Sequence, residues 1–217
     1  ARAGGRVHVL LGNHETMVWM HDLRYVHARE TAIAQAYGVP YPRLFDIRES
    51  VLGQWLASKP AVLKLDRILF AHGGVSSDFL AYTPKAVDDT LARFLGEEWF
   101  YRWNDSSVAF KMDSAAYARR VNFLMSERSL FWFRGYVQSD SLGSELDRVL
   151  RRFGADLLVV GHTPNTLVHQ KYSGRLIAAH PRTPAIEMVL LVRNGRAYKR
   201  YRMDTNGAWN PLPAKAP

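Results

Sequence analysis

Residues 157–164 read Leu157-Leu158-Val159-Val160-Gly161-His162-Thr163-Pro164, four strand-forming apolar residues broken at once by Gly-His-Thr-Pro. A short apolar run rich in Val and Leu, bounded by Gly and Pro, predicts a buried strand whose polar residues fall on the loop at its end. The same design recurs twice upstream. Ile68-Leu69-Phe70-Ala71 runs into His72-Gly73-Gly74, and Val7 to Leu11 runs into Gly12-Asn13-His14-Glu15.

Segments of helical period lie between these runs. Ile47, Val51, Leu52, Trp55 and Leu56 share one face and stop before Pro60; Leu142, Leu146, Val149, Leu150 and Phe153 form a second stripe ending at Gly154. A third helix is predicted from Thr83 as N-cap and Pro84 as first helical residue, presenting Val87, Leu91, Phe94 and Leu95. Strands alternating with helices give an α/β chain. The stretch from Gly96 to Tyr136 differs, crowding Trp99, Phe100, Tyr101, Trp103, Phe131, Trp132 and Phe133 together, and reads as a helical, aromatic-rich insertion over 76–136 within a single domain of 1–217. Near the end, Met188 to Val192 and Ala197 to Tyr201 flank an Asn194-Gly195 pair and predict a hairpin, followed by a loose tail over 210–217.

Composition narrows the partners. With 217 residues and 47% hydrophobic content the chain supports one substantial core, and no stretch approaches the about 18 apolar residues of a membrane span. Its charge of +9 draws anions, although the basic residues are dispersed and no nucleic-acid module is recognisable. Cysteine is absent, so any metal is held by His, Asn, Asp or Glu; disulfides are excluded, and the compartment is left open.

Each polar strand ending has an ordinary reading as a turn. Together they carry more, because parallel strands of an α/β sheet deliver their C-terminal loops to one edge, where ligands bind. Asn13, His72 and His162 are then expected to meet around one ion, an amide oxygen and two imidazoles suiting Mn, Fe or Zn better than Ca or Mg. Three neutral ligands leave the ion's charge uncompensated, so a carboxylate is expected to complete the site, and one that bridges a second metal would give a phosphate-clamping pair.

Gly-Asn-His-Glu at 12–15, His-Gly-Gly at 72–74 and Gly-His-Thr at 161–163, in this order, resemble the calcineurin-like metallophosphoesterases. More narrowly they look like the bacterial, Shewanella-like branch of the serine/threonine protein phosphatases, whose Trp-Tyr-Arg-Gly-Tyr phrase is similar to Trp132-Phe133-Arg134-Gly135-Tyr136. The resemblance implies a four-layer α-β-β-α sandwich, two divalent metal ions (Mn, Fe or Zn) and hydrolysis of a phosphorylated protein or small phosphoester by a metal-activated hydroxide. It further implies Asn13, His72 and His162 as ligands of the second metal, His14 as the acid that protonates the leaving group, Glu15 as a support of the loop, and Arg134 as the phosphate clamp. Arg134 alternatively caps an aromatic cluster.

Two family motifs are missing. No Gly is followed by Asp, no Asp-x-His occurs, and the Asp-Arg pairs at 66–67 and 147–148 lack a following Gly. The chain is therefore expected to be an N-terminally truncated form that lacks the first strands and the first metal's ligands, and to be inactive alone. His180, in Ala178-Ala179-His180-Pro181, stands where relatives tend to carry an acidic residue. Two alternatives remain open: a dinucleoside polyphosphate hydrolase, and a non-catalytic anion-binding remnant of such an enzyme.

Overall fold

The computed structural model describes residues 4–97, 100, 113–182, 187–195, 197–204 and 206–212. Trp99, Tyr101 and Trp103 of the aromatic stretch, and 213–217 of the expected tail, lie outside the described residues.

A five-stranded sheet organises the chain. Its strands are β1 (Val62–Leu65), β2 (Ile68–Ala71), β3 (Leu157–Val160), β4 (His169–Lys171) and β5 (Leu176–Ala178), in the order β1-β2-β3-β5-β4. The β2–β3 and β3–β5 pairs are parallel and the outer two antiparallel. Side-chain alternation gives the sheet two apolar faces. Leu69, Ala71, Leu158 and Val160 enter the larger core, while Ile68, Phe70, Leu157 and Val159 enter the smaller.

The larger core lies under helices. α4 (Pro84–Gly96) begins where Thr83 accepts a hydrogen bond from the Ala86 N–H, and buries Val87, Leu91, Phe94 and Leu95. α5 (Ser114–Met125) contributes Phe123 and Leu124, and α7 (Gly143–Phe153) contributes Leu146, Val149, Leu150 and Phe153 before ending at Gly154, which takes the left-handed φ of 61°. The short α6 (Gly135–Gln138) buries Tyr136, whose hydroxyl donates to the Val75 carbonyl at 2.9 Å. Against the other face lies a three-stranded antiparallel sheet of β6 (Met188–Asn194), β7 (Ala197–Met203) and β8 (Trp209–Pro211), with Val189, Leu191 and Tyr198 packed on the smaller core. The described residues thus form helices, sheet and second sheet in three layers, a mixed α/β architecture.

Five expectations need correction. Val7 to Leu11 is not a strand: it runs beside the sheet with a backbone bond from the Leu11 N–H to the Pro60 carbonyl, and Val7 is 92% exposed. An apolar run makes a strand only where a neighbour offers a ladder, and among the described residues none does. The polar residues after it open α1 (Asn13–Trp19) rather than forming a loop. α3 (Val51–Ala57) forms where the sequence predicts it, but Val51, Leu52 and Trp55 face outward because Gly53 is the residue turned inward; a Cβ there would lie 2.2 Å from the Asp46 carbonyl oxygen. Finally, the hairpin turn falls one residue later than Asn-Gly implies, with Asn194 paired to Ala197, and Asn210 to Leu212 are no loose tail, since β8 pairs with β7 and Leu212 is buried. α2 (Ala28–Ala36), with His27 as its N-cap, borders the cavity beside His14 through His27 and Glu30.

Candidate active site

The site follows from the register of two strands. Ala71 of β2 pairs with Val160 of β3 in parallel, and the Gly161 N–H donates to the His72 carbonyl at 2.8 Å, extending the ladder one step. His72 and His162 therefore leave the sheet at the same edge. The chain turns sharply at His162, whose φ of 58° is left-handed, and this aims its ring back toward His72. Ring centroids are 4.9 Å apart, and His72 Nε2 lies 3.1 Å from His162 Nδ1. Asn13, at the first position of α1, closes the group with Oδ1 at 2.8 Å from His72 Nε2.

Glycines make this approach possible. A Cβ on Gly12 would lie 2.8 Å from both Cε1 and Nδ1 of His72, and one on Gly73 would lie 2.8 Å from the Phe133 backbone nitrogen. Gly12 is held in turn, its N–H donating to Glu15 Oε2 at 2.7 Å. Gly12 has an ordinary extended backbone, φ −116°, so Gly12→Ala introduces a steric effect without backbone strain. Loss of about 10- to 100-fold in cobalt affinity is expected from displacing His72, the size seen when the support of a ligand is disturbed. Unchanged affinity in a cobalt titration would mean that His72 yields freely.

The flanking loop brings Arg134 and Trp132. Arg134 Nη1 donates to the His162 carbonyl at 3.1 Å, and the cation–π contact of this loop is made instead by Arg128, 5.4 Å over Phe133. Trp132 packs edge-on against His162 at 5.8 Å, a contact that its place in the aromatic stretch does not announce. His14, exposed in the first turn of α1, stacks on Tyr25 with centroids 5.4 Å apart and planes within 12°. His180 is held beside the His162 loop, since its carbonyl accepts from the Asn165 N–H and Asn165 bridges to Pro181.

Electrostatics keep the two inner imidazoles neutral. Burial, reinforced by the positive field of His14, His180 and Arg134, pushes His72 down to about 4. Burial again comes first for His162, followed by Arg134, His72, His14 and His180, and pushes it to about 3. The unfolded chain protonates both near the ordinary 6.5, so it binds more protons than the folded chain below that pH. Stability of the metal-free chain is therefore expected to be full above about pH 6.5 and to fall as pH drops toward 4. Thermal melts across this range test it; His162→Gln should flatten the slope, and an equal slope in that variant would remove the histidines as its cause.

The donor set fits one borderline divalent ion in part. Asn13 Oδ1, His72 Nε2 and His162 Nδ1 converge, with His72 Nε2 in the shared position, and His162 Nε2 is buried without a partner. Charge does not fit: among the described residues no group of three or more His, Cys, Asp or Glu can hold a metal, and the neighbouring charges are cationic. The arrangement presents neutral donor atoms beside the Arg134 guanidinium.

The calcineurin-like phosphoesterase profile matches residues 1–165. This chain belongs to the calcineurin-like phosphoesterase family. Members generally use two divalent metal ions. Among solved structures it is similar to a cold-active protein-tyrosine phosphatase of a psychrophilic Shewanella species, at 30% identity and a TM-score of 0.75, over 97% of this chain and 60% of that one. A point mutant described as a cold-active protein tyrosine phosphatase matches at 30% identity and TM-score 0.74, over 97% and 60%. A further structure described as a cold-active protein tyrosine phosphatase matches at 27% and 0.71, over 98% and 59%. The chain therefore spans about 60% of the length of these phosphoesterase relatives. No curated protein matches it.

Proposed function

We propose that this chain carries one half of a two-metal phosphomonoesterase centre that acts on phosphorylated proteins. The convergence of Asn13 Oδ1, His72 Nε2 and His162 Nδ1 at the mouth of the parallel strands is the observation that carries this reading. These three residues would hold one ion, which supplies Lewis-acid polarisation of a phosphoryl oxygen when bound. Arg134 orients the phosphate through its planar guanidinium, anchored by its bond to the His162 carbonyl. His14 protonates the departing oxygen, its ring held upright by Tyr25, and Glu15 keeps the Gly12–Asn13 turn closed. This sequence contains neither motif that supplies the charge-compensating carboxylates and the second ion's ligands in the family.

An aromatic leaving group is the favoured one. A cavity of about 280 Å³ opens beside His14 and is lined by Tyr25, Tyr41, Phe45 and Trp19. A phenolate, as from phosphotyrosine, would stack there, and the solved relatives are described as tyrosine phosphatases.

The test joins this chain to a segment carrying the two carboxylate motifs. With manganese the joined protein should hydrolyse a phosphotyrosine peptide, and this chain alone should be at least about 100-fold slower, because charge compensation and one metal are missing. Equal rates would overturn the half-centre. Cleavage of diadenosine tetraphosphate without cleavage of phosphopeptides would overturn the protein substrate.

A further inference from the structure

A second cavity, of about 530 Å³, lies between α4, α5 and the turn at Ser77–Phe79. None of its lining residues belongs to the histidine site. Its floor is aromatic: Phe123 meets Phe94 edge-on at 5.3 Å and tilts against Phe79 at 5.5 Å and Tyr82 at 6.0 Å. Its walls are cationic. Arg93 of α4, Arg119 and Arg120 of α5, and Arg128 line it.

Carboxylates engage three of the four arginines that line the cavity. Glu97 engages Arg93 and Arg120, while Asp78 and Glu145 engage Arg128. Among the described residues, Arg119 makes no ion pair. Arg93 meets Glu97 at 3.4 Å and lies 4.8 Å over the Phe94 ring, its side chain 60% exposed. A pocket of this volume suits a small ligand, and guanidiniums above a flat aromatic floor select an anion joined to an aromatic ring.

We infer that this cleft binds an aromatic phosphate of nucleoside monophosphate size, the ring on Phe123 and Tyr82 and the phosphate between Arg93 and Arg119. Asn122, exposed at the rim, offers an amide donor and acceptor to the edge of the ring. Neutral aromatics lack the charge to use the arginines, and inorganic phosphate lacks the ring to use the floor.

Calorimetric titration of this chain with AMP in EDTA, which removes metal and silences metal-dependent hydrolysis, tests the assignment. Saturable 1:1 binding is expected in the micromolar to millimolar range, with adenosine and inorganic phosphate each at least about 10-fold weaker. Arg93→Gln with Arg119→Gln should weaken AMP at least about 10-fold while circular dichroism stays unchanged, since both are exposed. His162→Ala should leave AMP binding intact. No saturation, adenosine binding as well as AMP, full affinity in the double variant, or loss of binding in His162→Ala would each overturn the inference. None of these outcomes depends on phosphatase activity.

Discussion

Replacing His72 by alanine is expected to abolish saturable cobalt binding by this chain and to lower manganese-dependent hydrolysis by the joined protein at least about 1,000-fold, beyond the 10- to 100-fold of a supporting residue. His72 is the shared member of the site: Asn13 Oδ1 and His162 Nδ1 both point at its Nε2, so removing the ring leaves two donors with nothing between them. The strand beneath stays whole, because the backbone bond from the Gly161 N–H to the residue-72 carbonyl does not involve the side chain. Unchanged melting with lost metal is the expected pair of results; cobalt retained at full affinity would remove the metal assignment for all three residues.

Phe131→Ala is expected to cost about 3–5 kcal/mol, as truncation of a fully buried phenylalanine does. Phe131 is fully buried in the larger core, and the adjoining Leu130 carbonyl accepts the Gly73 N–H at 2.8 Å. One substitution therefore opens a cavity and loosens the loop that carries Trp132 and Arg134. Urea unfolding measures the loss. Trp55→Ala is the control: at 46% exposure on α3 it should stay within about 0.5 kcal/mol, and a cost equal to that of Phe131 would show that the outward face of α3 is covered.

Strands β2 and β3 were legible because each is a run of residues apolar on both faces, which only a sheet covered on both sides asks for. α4 and α7 were legible from period and caps together, Thr83-Pro84 at one and Gly154 at the other. Rotation of α3 was not, because it is fixed by carbonyls of Phe45 and Asp46 crowding Gly53, an approach that leaves no periodic trace. The fate of Val7 to Leu11 was hidden for a related reason: strand formation depends on a partner, and an apolar pattern does not name one.

Within the site, His72 and His162 could be grouped from parallel-strand logic, whereas Asn13 reaches them from the first position of α1 and not from a strand end. The edge-on packing of Trp132 and the stacking of Tyr25 on His14 depend on where two loops meet. A lone aromatic residue in a sequence serves core packing equally well, so neither pointed to a histidine. His162 itself carried a hidden demand, since only the three-dimensional turn reveals its left-handed backbone.

The contact between Gly12 and His72 binds the fates of two positions far apart in the chain. Room for the imidazole exists only because residue 12 has no side chain, and the turn at Gly12 is kept by Glu15. Among descendants of this sequence, a larger residue at 12 should be tolerated only where 72 has become small, and loops exchanged between relatives should function only when both ends travel together. Inheritance at this site is then of a matched set, and drift that enlarges residue 12 first would leave a protein that folds and has lost its reason to keep His72.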